Sequence, residues 1–241
     1  MTQSQSIVQL QTLLQQVQSE TALTAEKLAE KTSIIMTQHS LAVENGIKLS
    51  QDQRQALQLE IKSALNQSTY SQGMGFASYR PETQEEQDYW TLEWWYKKAN
   101  QLQQAQLENY QNAQRFLDFR SFEWFHQPAL NQKPCLHGPY VDYICNGAYT
   151  ITSAHPVLLH GQFIGVIAID LLVSALEKLL MPALKGIQQR AVIINDSSRV
   201  ITSNDVSIRT GTLLKMAGEK FPQQHADQSP SLQLVILPNA S

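Results

Sequence analysis

Apolar residues recur at intervals of three and four near the start of the chain. Ile7, Leu10, Leu14 and Val17 make one narrow stripe, which predicts an amphipathic helix. In the same register the stripe keeps Leu28 and Ile35 but also meets Thr21, Thr24, Lys31 and Gln38. A self-sufficient coiled coil needs a sustained apolar seam, so the expectation is a helix laid along the body of the domain. The first seventy residues hold no Pro and a single Gly at position 46, where the helix should break or bend. Ser50-Gln51-Asp52-Gln53 then matches a capping box, in which hydroxyl and amide satisfy free backbone donors. A second helix is expected over 51–66.

After Gln67 the pattern turns to Gly, Ser and aromatics, and sheet is expected from Gly73 and Gly75 onward. In the run Tyr89 to Lys98, a strand would put Trp90, Leu92, Trp94 and Tyr96 on one face. Thr91, Glu93, Trp95 and Lys97 would lie on the other. Both faces carry tryptophan, so both should be covered. Between Tyr140 and Asp170 three apolar or alternating runs are separated by Asn146-Gly147 and His160-Gly161-Gln162, which predicts a three-stranded antiparallel meander. Leu171 to Leu180 reads as a short helix closed by Pro182. Ala191 to Ile194 and Arg199 to Thr202 flank Asn195-Asp196-Ser197-Ser198 as a hairpin. The remainder, through Leu232 to Leu237, reads as a small second layer or a truncated second domain. The expected class is α+β, divided into an N-terminal helical region at 1–67, a ligand-binding domain at 68–184 and a small C-terminal subdomain at 185–241.

A chain of 241 residues that is 42% hydrophobic is long enough to bury one core, or one core and a satellite. The formal charge is −3 and no basic block occurs, which argues against nucleic acid, because phosphate binding needs clustered cations. The first thirty residues lack an unbroken apolar stretch of roughly 7–15 residues. The longest apolar run, Phe163 to Ile169 around Gly165, falls short of the roughly 20 residues of a membrane helix. A cytoplasmic location and reduced Cys135 and Cys145 are the expectations. Cys135, His137, Cys145 and His126 are types that bind zinc, but without a Cys-x-x-Cys pair they do not compose a site, and no metal or cofactor is expected. No P-loop, dinucleotide fingerprint or Gly-x-Ser-x-Gly elbow is present.

The order of the pieces says more than any one of them. After the long helix come Trp124-Phe125-His126-Gln127-Pro128, then Gly138-Pro139-Tyr140-Val141-Asp142, then Tyr149-Thr150-Ile151-Thr152 with Ala154-His155-Pro156-Val157, and last Phe163-Ile164-Gly165-Val166-Ile167-Ala168-Ile169-Asp170. Over residues 70 to 180 this series resembles the double Cache family of bacterial chemoreceptor, kinase and cyclase sensor modules. The resemblance implies a PAS-like antiparallel sheet with a ligand pocket and a non-catalytic sensing role. It also implies that the Asp ending the last strand, here Asp170, receives a ligand ammonium. The family's amino-acid binders place an Arg two residues before the Trp to grip a carboxylate. Phe122 stands there in this chain, and Arg120 lies two residues further back.

The remaining candidates are acids and aromatics. Asp170, Glu123 and Asp142 could meet a cationic ligand, and Trp95, Trp124, Phe125, Tyr140 and Tyr143 could line its site, since aromatic faces attract cations. The expected function is a sensor for an amine or quaternary ammonium, signalling through a homodimer or a separate partner by way of the N-terminal helix. An amino-acid or organic-acid sensor, and an enzyme or carrier using Glu123 or Asp170 as base, are the alternatives. Plainer roles stand beside each residue: Asp170 as a helix N-cap, Glu123 as a solvated helix residue, Asp142 as a turn anchor, and Trp94 and Trp95 as core fillers.

Overall fold

The structure, a computed structural model, describes residues 2–37, 47, 49–80, 89–99, 101–105, 119–143, 147–214 and 231–238. Two helices come first, α1 (Gln3–Thr37) and α2 (Gln51–Gln67). The capping box forms as expected: Ser50 Oγ accepts from the Gln53 backbone N–H, and the Gln53 side chain accepts from the Ser50 N–H. The buried face of α1 follows the predicted stripe through Leu10, Leu14, Val17, Thr21 and Leu28, then runs on through Ala29, Thr32 and Met36. Polar breaks in that stripe are tolerated because the threonine hydroxyls are satisfied within the helix. Thr21 and Thr32 each donate 2.7 Å to the carbonyl four residues back.

Six antiparallel strands form the main sheet: β1 (Gly73–Arg80), β2 (Tyr89–Lys98), β3 (Gln101–Gln104), β4 (Cys135–Asp142), β5 (Ala148–Leu159) and β6 (Gln162–Leu172). Their order is β3-β2-β1-β6-β5-β4. The meander expected over 140–170 is its β4-β5-β6 half, with the first strand starting earlier, at Cys135. His160 and Gly161, both at positive φ, make the β5–β6 turn. Gly147 is also at positive φ, and Asn146 lies outside the described residues.

The helices α1 and α2 cover one face of this sheet, where Met74, Phe76, Ile167 and Ile169 pack against Leu28, Leu57 and Ile61. The other face carries an aromatic layer from a 3-10 turn at Phe119–Ser121 and the helix α3 (Glu123–Asn131), packed on Ala77, Trp94, Val166 and Ala168. Strand β2 shows the predicted division, with Trp94 on the aromatic face and Trp95 under the helices. Glu93 shares the helix face, where it is fully buried. It forms an ion pair with Arg54 of α2 and accepts 2.9 Å from Gln58 Nε2, so its charge is compensated inside the core.

The helix expected at 171–180 is shifted. Strand β6 continues to Leu172, and α4 (Val173–Lys185) passes through Pro182 to reach Gly186. Leu171 and Leu172 keep the ladder because they pair with Ile151 and Thr150, a tertiary demand that local helix propensity does not outweigh. Beyond α4, β7 (Ala191–Asn195), β8 (Val200–Ser203) and β9 (Leu232–Ile236) make a second antiparallel sheet in the order β8-β7-β9. Asn195 closes the β7–β8 hairpin, its Oδ1 accepting from Ser197 N and Arg199 N, while its Nδ2 donates 2.6 Å to Gly138 O of β4. The N-terminal half of α1 shares a core with α4 and this small sheet.

Gly73 and Gly75 are where a side chain matters most by its absence. A Cβ on Gly75 would stand 2.1 Å from Glu93 O and 2.7 Å from Trp94 Cε3, and one on Gly73 would stand 3.1 Å from Trp94 Nε1. The Trp94 indole therefore lies flat over both glycines of the neighbouring strand. Gly75→Ala is expected to destabilise the protein by about 1–3 kcal/mol, the usual cost of overpacking a core, measured by urea denaturation. An unchanged midpoint would show that the indole does not rest on β1.

Candidate functional site

Asp170 is the third-last residue of β6, on the aromatic face with Val166 and Ala168, and it is buried. It sits between Gly73 of β1 and Thr152 of β5, its cross-strand partners. Thr152 Oγ1 donates 2.6 Å to Asp170 Oδ1, and the Tyr140 hydroxyl lies 2.8 Å from Thr152 Oγ1, so a hydrogen-bonded row crosses three strands. Asp142 follows Tyr140 on the same face of β4, also buried. Burial, and then the neighbouring Asp142 charge, hold the Asp170 carboxyl well above the ordinary range against the opposing pull of the Thr152 hydrogen bond. Asp170 is not the N-cap of α4, since the cap position is Leu172 and no side chain caps that helix.

The other candidates divide by position. Tyr140 and Trp124 join through Phe122, whose ring centroid is 6.2 Å from Tyr140 and 6.3 Å from Trp124. Phe122 thus occupies the wall where the resemblance places an arginine. Phe125 instead packs on Phe119 at 4.9 Å and Phe163 at 6.0 Å, toward the opposite end of β6. Glu123 does not face Asp170. It is exposed in the first turn of α3 and accepts from Gln127 Nε2 at 2.8 Å, the solvated role that its helical position favours. Trp95 does not join the site either. Strand alternation puts it on the helix face, where Lys62 Nζ sits 4.6 Å from its ring. Tyr143 is 76% exposed and lines nothing.

Arg120 does not replace the missing guanidinium. Its side chain lies 4.4 Å over the ring of Tyr79, six residues along β1 from Gly73, about 20 Å at the rise of a strand. Cys135 and His137 share the face of Tyr140, and His137 stacks near it at 5.3 Å. Burial pushes the Cys135 thiol up to about 12, and burial also lowers His137 below the usual imidazole range, leaving it uncharged near neutrality. Cys145 lies outside the described residues, and among these no three His, Cys, Asp or Glu side chains converge to hold a metal.

Three participants were not read as site residues from the sequence: Thr152, Phe122 as a wall, and Trp94. Trp94 and Trp124 each bury an indole Nε1 that has no hydrogen-bond partner. The glycine pair spaced by one residue at 73 and 75 was the readable sign of a large side chain pressed on β1. Two cavities flanking α1, about 210 and 680 Å³, contain none of the predicted site residues.

The six-stranded antiparallel sheet of this chain, with two long helices on one face, has counterparts of similar fold among known proteins. Residues 57–178, just over half of the chain, match the methyl-accepting chemotaxis protein-like first PDC sensor domain. The chain belongs to this family of Cache-type sensor domains. The ligand-binding domain of the Pseudomonas aeruginosa PAO1 amino acid chemoreceptor PctC, in complex with GABA, is similar over 93% of this chain and 94% of its own, with a TM-score of 0.54 and 13% identity. An extracellular domain assigned to the histidine kinase soHK1S-Z6 aligns over 84% of this chain and 68% of its own, with a TM-score of 0.54 and 19% identity. Methyl-accepting chemotaxis protein X aligns over 82% and 76%, with a TM-score of 0.51 and 16% identity. At these identities the likeness is one of fold. Comparison with curated proteins gives no significant match. Among the described residues no helix is long and apolar enough to cross a membrane.

The raised Asp170 fixes a pH signature. The native state holds this proton more tightly than the unfolded chain, so stability falls as pH rises from the ordinary carboxylate range toward the folded value. Asp170→Asn removes the effect. Between about pH 4 and pH 8, the melting temperature of the variant minus that of the parent is expected to grow with pH in ligand-free protein. A difference that stays constant across the range would show that Asp170 titrates normally.

Proposed function

We propose that this chain senses a small molecule carrying a cationic amine, received by Asp170 with Asp142 beside it and enclosed by Tyr140, Phe122 and Trp124. The observation that carries the reading is the buried carboxyl of Asp170 in mid-sheet, bonded to a neutral hydroxyl and near a second buried acid. A buried carboxylate is costly unless a cation or strong donors meet it. An ammonium supplies both charge and donors, and aromatic faces add to its retention. Arg120, the cation that the sequence offered for a ligand carboxylate, is held at Tyr79. The small sheet beyond α4 supports a double Cache arrangement, with this site in its first module.

An amino acid is the second reading. It is favoured by the retention of Trp124, Tyr140, Asp142 and Asp170, and by the GABA complex of the structurally similar PctC domain. Output in either case passes through α1, which spans both cores, to a second copy or a signalling partner. For a ligand to move that equilibrium it must bind one arrangement of α1 more tightly than the other.

Thermal shift with separate sets of alkylamines, polyamines, choline-like compounds, amino acids and organic acids tests the proposal. An amine at about 100 times its dissociation constant is expected to stabilise the fold by about 2.7 kcal/mol, roughly 5–10 °C in a chain of this size. Asp170→Asn is expected to abolish that shift. Stabilisation by organic acids alone, or an undiminished amine shift in Asp170→Asn, would overturn it.

A further inference from the structure

Trp94 places an unsatisfied donor beside the acid. Its indole is 5% exposed, and Nε1 has no hydrogen-bond partner, so an N–H stripped of water faces no acceptor in the ligand-free protein. The orientation of the ring is fixed by the glycines beneath it. Cε3 lies over Gly75 and the Nε1 edge lies over Gly73, 3.1 Å from where a Cβ would stand. Gly73 is the cross-strand partner of Asp170, and the two share the aromatic face. Directly opposed Cβ positions in an antiparallel pair stand about 4.5–5.5 Å apart. The Nε1 edge of the indole therefore lies beside the position that a group in contact with the Asp170 carboxyl would take.

We infer that Trp94 is a specificity-determining residue whose N–H takes a neutral oxygen acceptor on the ligand, so that the ligand is an amine with a hydroxyl or carbonyl oxygen two or three bonds from its nitrogen. This rests on the amine reading above and narrows it. The spacing follows from geometry, because one small molecule must touch Asp170 and the Nε1 edge over Gly73 at once. Neutrality of the acceptor follows from charge. The site already holds Asp142 and Asp170, Phe122 supplies an apolar wall, Arg120 lies at Tyr79, and Lys97 points the other way to donate 2.8 Å to Ser68 O. A ligand carboxylate would join two acids without the charge of Arg120 or Lys97 to meet it, whereas a hydroxyl or amide oxygen satisfies the indole at no cost in charge.

Isothermal titration of the full chain with ethanolamine, n-propylamine, glycinamide and glycine tests this. Ethanolamine and glycinamide are expected to bind at least tenfold more tightly than n-propylamine, and glycine more weakly than either. Trp94→Phe is expected to bring the ratio of ethanolamine to n-propylamine affinity down to about one. In ¹⁵N-indole spectra, where the four tryptophans give four signals, the Trp94 Nε1–H resonance is expected to move downfield with ethanolamine and not with n-propylamine. That signal is assignable by elimination from Trp90→Phe, Trp95→Phe and Trp124→Phe should Trp94→Phe not fold. Equal affinity for ethanolamine and n-propylamine overturns the inference and leaves the amine reading standing. So does a preference that survives Trp94→Phe but is lost in Trp124→Phe, or tightest binding by glycine. Failure of all the amines to bind overturns both.

Discussion

The structure turns on a carboxylic acid placed where a carboxylate does not belong. Asp170 lies in the interior of a six-stranded sheet, closed in by β1 on one side and β5 on the other, and among the described residues a threonine hydroxyl answers its carboxyl directly. A hydroxyl satisfies one lone pair and none of the charge, so burial pushes the carboxyl well above the ordinary carboxylate range. Contrast Glu93, equally buried one strand beyond β1. There Arg54 and Gln58 reach down from α2 and the acid is matched. One face of the sheet thus uses its buried acid to tie helix to strand, while the other holds the neighbouring acids Asp142 and Asp170.

What surrounds Asp170 depends on how little β1 carries. Gly73 and Gly75 remove two side chains from the aromatic face beside it, and the space is taken by Trp94 from the next strand. The aromatic layer then extends through Phe122 and Trp124 to Phe119, ring against ring, at centroid spacings of 6.0–6.3 Å. Such contacts give the wall a fixed shape, because edge-to-face and offset rings have preferred geometries.

Much of this was legible in the chain. The capping box at Ser50, the alternation of Trp94 and Trp95, the β5–β6 turn at His160-Gly161 and the hairpin at Asn195 are local patterns, decided by neighbours in sequence, and they form as read. The misreadings share one cause. Leu171 and Leu172 look helical alone but pair with β5, and Trp95 and Glu123 have site chemistry but point elsewhere. Which face a residue serves is set by partners distant in the chain. Thr152 was invisible for the same reason: nothing in its own segment says that Asp170 will lie opposite.

The same long-range pairing gives the site a physical link to α1. Gln72 donates 2.8 Å from its backbone N–H to Asp170 O and stands in the turn that begins at Ser68. In that turn Ser68 Oγ and Thr69 N each donate 2.7 Å to Glu20 of α1, and Lys97 Nζ donates to Ser68 O. Burial would raise Glu20, yet the sum of these donors holds it below its usual value, so the turn grips it as a carboxylate. The backbone of Asp170 is therefore two hydrogen-bonded steps from the helix that crosses both cores. Contiguity of this kind is not coupling by itself. It does mean that any shift of β6 needed to seat a ligand at Asp170 must either stretch the Gln72 bond or carry the turn, and with the turn Glu20, along with it.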